Sequence, residues 1–266
     1  KMKNNMSTQD FVDACRINGK LYGIPHQRGN GTLTYVRGDW LEKLGMAPPK
    51  DYAEFIEMLR AFKHKNPDGL KPNEVIPITG PGLANDGYPM DIYLREFYQH
   101  ATPDYVEKNG KWVDGMLEPN MKDALKRMRD AYAEGLIDAE IITNKTSTCR
   151  EKFYSGVVGA FNYWAGYWND RLYNNTKPNV PHVKVVGIPA IKESFYVERP
   201  PGIICMSSKV KNPKEIFDKF FELINDMGEG QKNFTFGVEG ESYIEKDGVK
   251  EFLPTKLNPD RPYNKV

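Results

Sequence analysis

Phe161 to Tyr173 reads FNYWAGYWNDRLY and holds the densest run of aromatic rings in the chain. Tyr and Trp offer broad apolar faces with a polar edge, so a stretch of this kind can floor a site for a ring-shaped ligand. It follows Val157-Val158-Gly159-Ala160-Phe161, an apolar β-branched run that reads as a strand, and it passes into a helix-like segment. In open α/β sheets, ligands settle outside the carboxyl ends of the strands, where the next helices begin. A second reading stays open. Trp164, Tyr167, Trp168, Arg171 and Leu172 fall at the spacing of one helical face, and such a stripe packs in a core. Dividing the stretch at the strand end leaves Asn162, Tyr163 and Trp164 to face a cleft, sends Trp168 and Leu172 to the core, and leaves Tyr167 undecided.

Little else in the chain is spaced for catalysis. His26, His64, His100 and His182 are scattered, and Cys15, Cys149 and Cys205 are far apart and odd in number, so neither a zinc cluster nor a disulfide framework is expected. Cys205 lies in an apolar run and reads as a small buried hydrophobe. Nucleophile-elbow, P-loop, dinucleotide-binding and HExxH motifs are absent. Carboxylate pairs such as Asp86 with Asp91, or Glu239 with Glu241, could serve glycoside hydrolysis, but exposed surface acids are the simpler reading. The 266 residues carry 37 Lys and Arg against 36 Asp and Glu, with no basic block, which argues against a nucleic-acid partner. Aromatics reach 12%, an excess of rings without an excess of charge that suits a neutral ligand. No stretch approaches the roughly 18 consecutive apolar residues of a membrane span.

These residues must be positioned by alternating strands and helices. Strands are expected at residues 19–25, 32–36, 75–78, 157–161, 183–189 and 202–206. Asp39 is read as the cap of a short helix closed by Gly45, and Asp51 with Glu54 has capping-box spacing ahead of a helix to about His64. Asn109-Gly110 is the strongest hairpin signal. Further helices are expected at 119–134 behind Pro119, at 148–154 and at 214–227. The alternation predicts an α/β fold with a mostly parallel sheet. Trp40 and Trp112 are assigned to packing, being in a helix start and a hairpin strand.

Seven stretches taken together resemble the extracellular solute-binding proteins of ABC transporters, family 1, in particular the lipoprotein-type oligosaccharide binders. They are Asn18 to Pro25, Tyr35 to Gly45, Phe55 to Gly69, Asn109 to Trp112, Tyr132 to Asp138, Lys152 to Ala160 and Phe236 to Tyr243. Each is weak alone, but their shared order over most of residues 18–243 is specific. The resemblance implies an α/β periplasmic-binding-protein-like fold of class II, mostly one lobe plus parts of the other. Residues 1–30 would be a remnant of the first lobe and a hinge crossing, 31–198 the second lobe, and 199–266 a return crossing with a strand and helix of the first. It also implies an incomplete chain, the family's lipidated cysteine standing before residue 18.

The same resemblance implies capture of an oligosaccharide or other small sugar by lobe closure, with no catalysis and no cofactor. ABC permease subunits would be partners, the protein would be a monomer on the extracellular face of the membrane or in the periplasm, and a lipid anchor absent from this chain would be its membrane link. A carbohydrate-active enzyme domain and the ligand-sensing domain of a receptor are the alternatives. Sugars stack their C–H faces on rings while polar side chains satisfy their hydroxyls. Trp164 and Tyr163 are accordingly read as stacking residues and Asn162 as a hydroxyl contact. Arg28 and Asn30 join them from the loop after the first crossing, Asp86 and Tyr88 from the glycine-rich loop at residues 80–89, with Tyr167 a further ligand-binding candidate. One family feature departs. Relatives carry an acidic calcium loop after the long helix, but at residues 66–75 Leu70 and Val75 remove ligands and Asn66 a charge, so the passage reads as a plain turn.

Overall fold

The computed structural model describes residues 12–13, 15–25, 31–71, 73–81, 93–197 and 202–253. The chain divides into two units, Asn30–Arg199 on one hand and Lys1–Gly29 with Pro200–Val266 on the other. In chain order the smaller unit begins with β1 (Arg16–Ile17) and β2 (Lys20–Leu21), a hairpin turning on Asn18-Gly19, and then β3 (Ile24–Pro25).

The larger unit opens with β4 (Thr32–Arg37), α1 (Gly38–Leu44) and α2 (Tyr52–Lys65). Asp51 caps α2 by accepting from the Glu54 amide at 2.9 Å, while the Glu54 carboxylate accepts from the Lys50 amide at 2.8 Å. Asp39 lies in the first turn of α1 and is not its cap, because Arg37 holds the cap position. There follow β5 (Ile76–Thr79), the four-residue α3 (Arg95–Tyr98), and a hairpin of β6 (Tyr105–Lys108) with β7 (Lys111–Asp114). Asn109 and Gly110, both at positive φ, make its two-residue turn. Trp112 is 70% exposed on this two-stranded ribbon, contrary to its assignment to packing, because nothing among the described residues covers that face. The unit closes with α4 (Pro119–Ala133), α5 (Thr146–Tyr154), β8 (Val158–Trp164), α6 (Trp168–Thr176) and β9 (Val185–Ile188).

The central sheet has the order β5-β8-β4-β9. β5 and β8 are parallel, but β4 is antiparallel to both of its neighbours, so the expectation of mostly parallel pairing is overturned. One helix between strands brings the chain back to its starting end and keeps direction, as α6 does between β8 and β9. Two helices, α1 and α2, separate β4 from β5 and leave the direction reversed. β4 is then slotted between two strands that run the other way.

Both faces of the sheet are covered, giving three layers. On one face Trp40, Phe55, Met58, Leu59 and Phe62 from α1 and α2, with Met121, Ala124 and Met128 from α4, pack on Val36, Ala160, Ile78 and Ile188. Gly159 permits the close approach of α2: a Cβ there would stand 2.4 Å from the Phe62 ring and 2.9 Å from that of Trp40. On the other face Phe153, Trp168 and Leu172 from α5 and α6 meet Tyr35, Phe161 and Tyr163. β8 runs on to Trp164 and α6 starts only at Trp168, so the single helical face expected from Trp164 to Leu172 does not form.

The smaller unit resumes with β10 (Ile203–Ile204), which pairs antiparallel with β3. Cys205 beside it is exposed, correcting its reading as a buried hydrophobe; so short a strand leaves its neighbour uncovered. α7 (Pro213–Ile216) continues through a π-helical turn, Phe217–Phe221, into Glu222–Ile224. After α8 (Glu229–Phe236), a hairpin of β11 (Tyr243–Lys246) and β12 (Val249–Phe252) ends the described chain.

Candidate functional site

The register of the sheet brings the carboxyl ends of β5, β8 and β9 to one end, beside the first residues of β4. There Thr32 faces Trp164, and Thr34 faces Asn162 and Ile188. Directly paired residues share a face, and on this face the sheet turns polar. The Asn162 amide donates to Thr34 Oγ1 at 2.9 Å, and Thr34 in turn donates to Glu96 Oε1. The Tyr196 hydroxyl donates to the same oxygen at 3.3 Å. Thr34, Glu96 and Asn162 are all buried. Three further atoms, Glu96 Oε2, Asn162 Oδ1 and Thr32 Oγ1, are buried with no hydrogen-bond partner among the described residues. Each such atom costs about 1–3 kcal/mol, and native proteins leave few of them. Three at one end of one sheet mark a place that a polar ligand or ordered water would satisfy.

Burial raises the Glu96 carboxyl above the ordinary carboxylate range, with the hydrogen bonds from Thr34 and Tyr196 pulling the other way. The Tyr196 phenol is raised as well, by burial first and by Glu96 second. The backbone that presents Glu96 is strained. Leu94 (φ 53°, ψ 35°) and Gln99 (φ 52°, ψ −123°) flank the single turn of α3 in left-handed conformations that side chains rarely adopt. Such positions cost on the order of 1–3 kcal/mol each and cluster at functional sites. The turn is held by its own burial and by Arg127, which donates to the Phe97 and Tyr98 carbonyls at 2.7 Å each.

Trp168 and Leu172 pack in the core as expected, whereas Tyr163, expected to face a cleft, packs there too. Tyr163 is buried: its ring stacks on Phe161 at 5.0 Å and meets Trp168 edge-on at 4.6 Å, while its hydroxyl accepts from Arg150 at 2.7 Å. Trp164 is 8% exposed, and its carbonyl accepts from the Tyr35 hydroxyl at 2.7 Å. Tyr167, at the cap of α6, is the open ring, 55% exposed and 5.3 Å from the Trp168 ring. Arg28, Asn30, Asp86 and Tyr88 lie outside the described residues. Sequence reasoning passed over Thr32, Thr34, Glu96 and Tyr196. The available signals were two threonines alternating with Leu33 and Tyr35 along a strand, and a carboxylate inside the apolar run Tyr93 to Tyr98.

The opposite end of the sheet is fully paired. Buried Arg37 forks onto Asp39 at 2.9 and 2.6 Å, donates to the Gly156 carbonyl at 2.8 Å, and also reaches Asp68. Asp68 further accepts from Trp40 Nε1 at 2.8 Å and from Lys43, and contacts His182 at 3.1 Å. Burial alone would raise the Asp68 carboxyl; these donors and the Arg37 charge outweigh it and hold it well below the usual range. Asp39, Asp68 and His182 have ligand atoms within 4.8 Å of one another. They do not fit a dication, because Arg37 and Lys43 already take the Asp68 oxygens and would repel it, and the Asn66 side chain is spent on the Leu70 amide at 2.9 Å. Adding millimolar calcium, or removing it with chelator, should therefore leave the thermal midpoint unchanged within about 1 °C; a calcium-dependent rise of several degrees, the mass-action signature of native-state binding, would show a site here.

A family model described as bacterial extracellular solute-binding protein matches residues 2–223. Lipoprotein LipO of Bacillus subtilis (strain 168) is 29% identical over 260 residues, which cover 92% of this chain and 51% of that protein. The polygalacturonan/rhamnogalacturonan-binding protein YtcQ of the same organism is 28% identical over 152 residues, covering 54% of this chain and 29% of that protein. Among solved structures, the alginate-binding protein AlgQ2 without calcium ion superposes with a TM-score of 0.58 at 26% identity, over 88% of this chain and 49% of that one. The mixed α/β fold and these neighbours are those of class II periplasmic-binding-protein-like sugar binders. The chain spans about half the length of the first of these relatives.

Proposed function

The chain belongs to the bacterial extracellular solute-binding protein family, and from that premise we propose that it captures an oligosaccharide for an ABC transporter, with Tyr167 and Trp164 stacking on the sugar and the polar end of the sheet taking its hydroxyls. The observation that carries this reading is the group of unpartnered buried atoms on Thr32, Glu96 and Asn162 at the carboxyl end of the strands; Tyr167, three residues past the end of β8, supplies an exposed ring. Sugar hydroxyls both donate and accept, so they can complete a carboxyl, a carboxamide oxygen and a threonine hydroxyl together. Relatives named as oligosaccharide and polysaccharide binders support the ligand class. Closure of two lobes over the sugar would hide it from water and create the shape that permease subunits recognise. The capturing form would be a monomer acting outside the cell membrane. No helix among the described residues is long and apolar enough to cross a membrane.

The test is intrinsic fluorescence of the natural full-length protein titrated against a glycan panel. A saturable change is expected, since Trp168 lies 5.3 Å from the open ring. Tyr167→Ala should weaken binding about tenfold or more, the loss of one stacked ring. Unchanged affinity in Tyr167→Ala and in Trp164→Ala would remove both from the site, and silence across the panel would sink the sugar-binding reading.

A further inference from the structure

Two arginines beside the open ring differ in their partners from the other described arginines of this unit. Arg37 and Arg60 hold carboxylates, and Arg95 and Arg127 hold backbone carbonyls. Arg129 is paired with Asp130. Arg150, half-buried on α5, spends one N–H on the Tyr163 hydroxyl and lies 5.3 Å from the centroid of the Trp168 ring. Arg171, exposed on α6 one turn beyond Tyr167, lies 4.8 Å from the same ring. No carboxylate among the described residues forms an ion pair with either. The acids adjacent in sequence, Glu151 to Arg150 and Asp170 to Arg171, are both exposed. Both guanidinium groups thus approach one indole, next to the Tyr167 ring that lies 5.3 Å from it, and among the described residues most of their N–H donors have no acceptor.

A guanidinium held in place by an aromatic ring, with its fork free, matches a planar carboxylate in charge and geometry, which an ammonium or a hydroxyl does not. Resting on the sugar-capture reading above, we propose that Arg150 and Arg171 form a subsite for the carboxylate of an acidic sugar, so that the preferred ligand is an oligosaccharide containing uronate residues, with the carboxylate in the fork and the adjacent sugar face on Tyr167. Composition alone pointed to a neutral ligand; two guanidinium groups on one indole, neither in an ion pair among the described residues, point to an anionic one.

Trisaccharides of galacturonate, glucuronate and mannuronate, each beside its carboxyl-reduced neutral counterpart, discriminate the possibilities. Calorimetric titration of the natural full-length protein at low salt should show at least one acidic trisaccharide bound roughly tenfold or more tightly than its reduced form, with the preference shrinking as salt rises. Arg150→Gln and Arg171→Gln should each remove most of that preference while leaving affinity for the neutral form within about twofold. Arg171 is exposed, so its variant serves as the control that folds. Equal affinity for acidic and reduced sugars, or a preference that survives both substitutions, would overturn the subsite while sugar capture stands. Failure of every acidic and every neutral glycan to bind would remove both readings together.

Discussion

Replacing Asp39 by alanine should lower the thermal midpoint of the protein by on the order of 10 °C. Asp39 is the bidentate partner of Arg37, whose side chain is fully buried, and it also accepts from the Lys184 amide at 3.1 Å. Removing one member of a buried pair strands the other charge, which costs about 3–5 kcal/mol, and each kcal/mol moves the midpoint of a unit this size by about 2–4 °C. Asp68 remains in contact with Arg37, which holds the loss toward the lower end of that range. The double variant Arg37→Met with Asp39→Ala should recover part of the loss, because an apolar side chain of similar length needs no partner. A midpoint within 2 °C of the parent in circular dichroism would mean that water already solvates the pair. Acid should dissolve the same network. Asp68 has a depressed folded pKa, so its contribution is complete above the unfolded value of about 4 and is lost as pH falls below that toward the folded value.

Glu96 should show the opposite sign. Its folded pKa is raised by burial, so the native state holds a proton that the unfolded chain releases near pH 4.3. Stability from this group is therefore greatest below about pH 4.3 and declines as pH rises toward the folded pKa. Glu96→Gln keeps the shape and an oxygen able to accept from Thr34 and Tyr196, and it removes the titration. Without ligand, this variant should melt several degrees above the parent at pH 8, about 1–3 kcal/mol for an unsatisfied buried group, with the two converging at pH 5. Midpoint curves that run parallel from pH 5 to 8 would show that Glu96 does not titrate there.

The features legible in the sequence were local ones. The Asp51–Glu54 cap, the Asn109-Gly110 turn and the Pro119 start of α4 each rest on contacts within a few residues, and each stands in the structure. The direction of β4 could not be read, since it depends on which strands flank it across more than a hundred residues. Exposure was the other blind spot. Trp112 and Cys205 were read from their own neighbours in sequence, whereas their surroundings are set by how few strands their sheets contain. In the candidate site, the aromatic stretch stood out by composition, but Glu96 did not, because its one signal, a carboxylate among the apolar residues between Tyr93 and Tyr98, is masked by Arg95 beside it. That Tyr167 is the open ring depended on where β8 ends, three residues beyond the expected limit.

The placement of β4 also bears on how the chain acquires its structure. β4 is the first strand of its unit, and both of its neighbours come late: Thr34 meets Asn162 across 128 residues. Closing so long a loop costs entropy before any pairing repays it, and proteins dominated by distant contacts fold slowly. Until β8 and β9 arrive, Leu33, Tyr35 and Val36 stand on a strand with two unpaired edges, the form most open to pairing with another chain. A polypeptide with this strand order reaches its native sheet only after nearly all of the unit is present, so it stays unfolded for as long as its carboxyl-terminal strands are withheld.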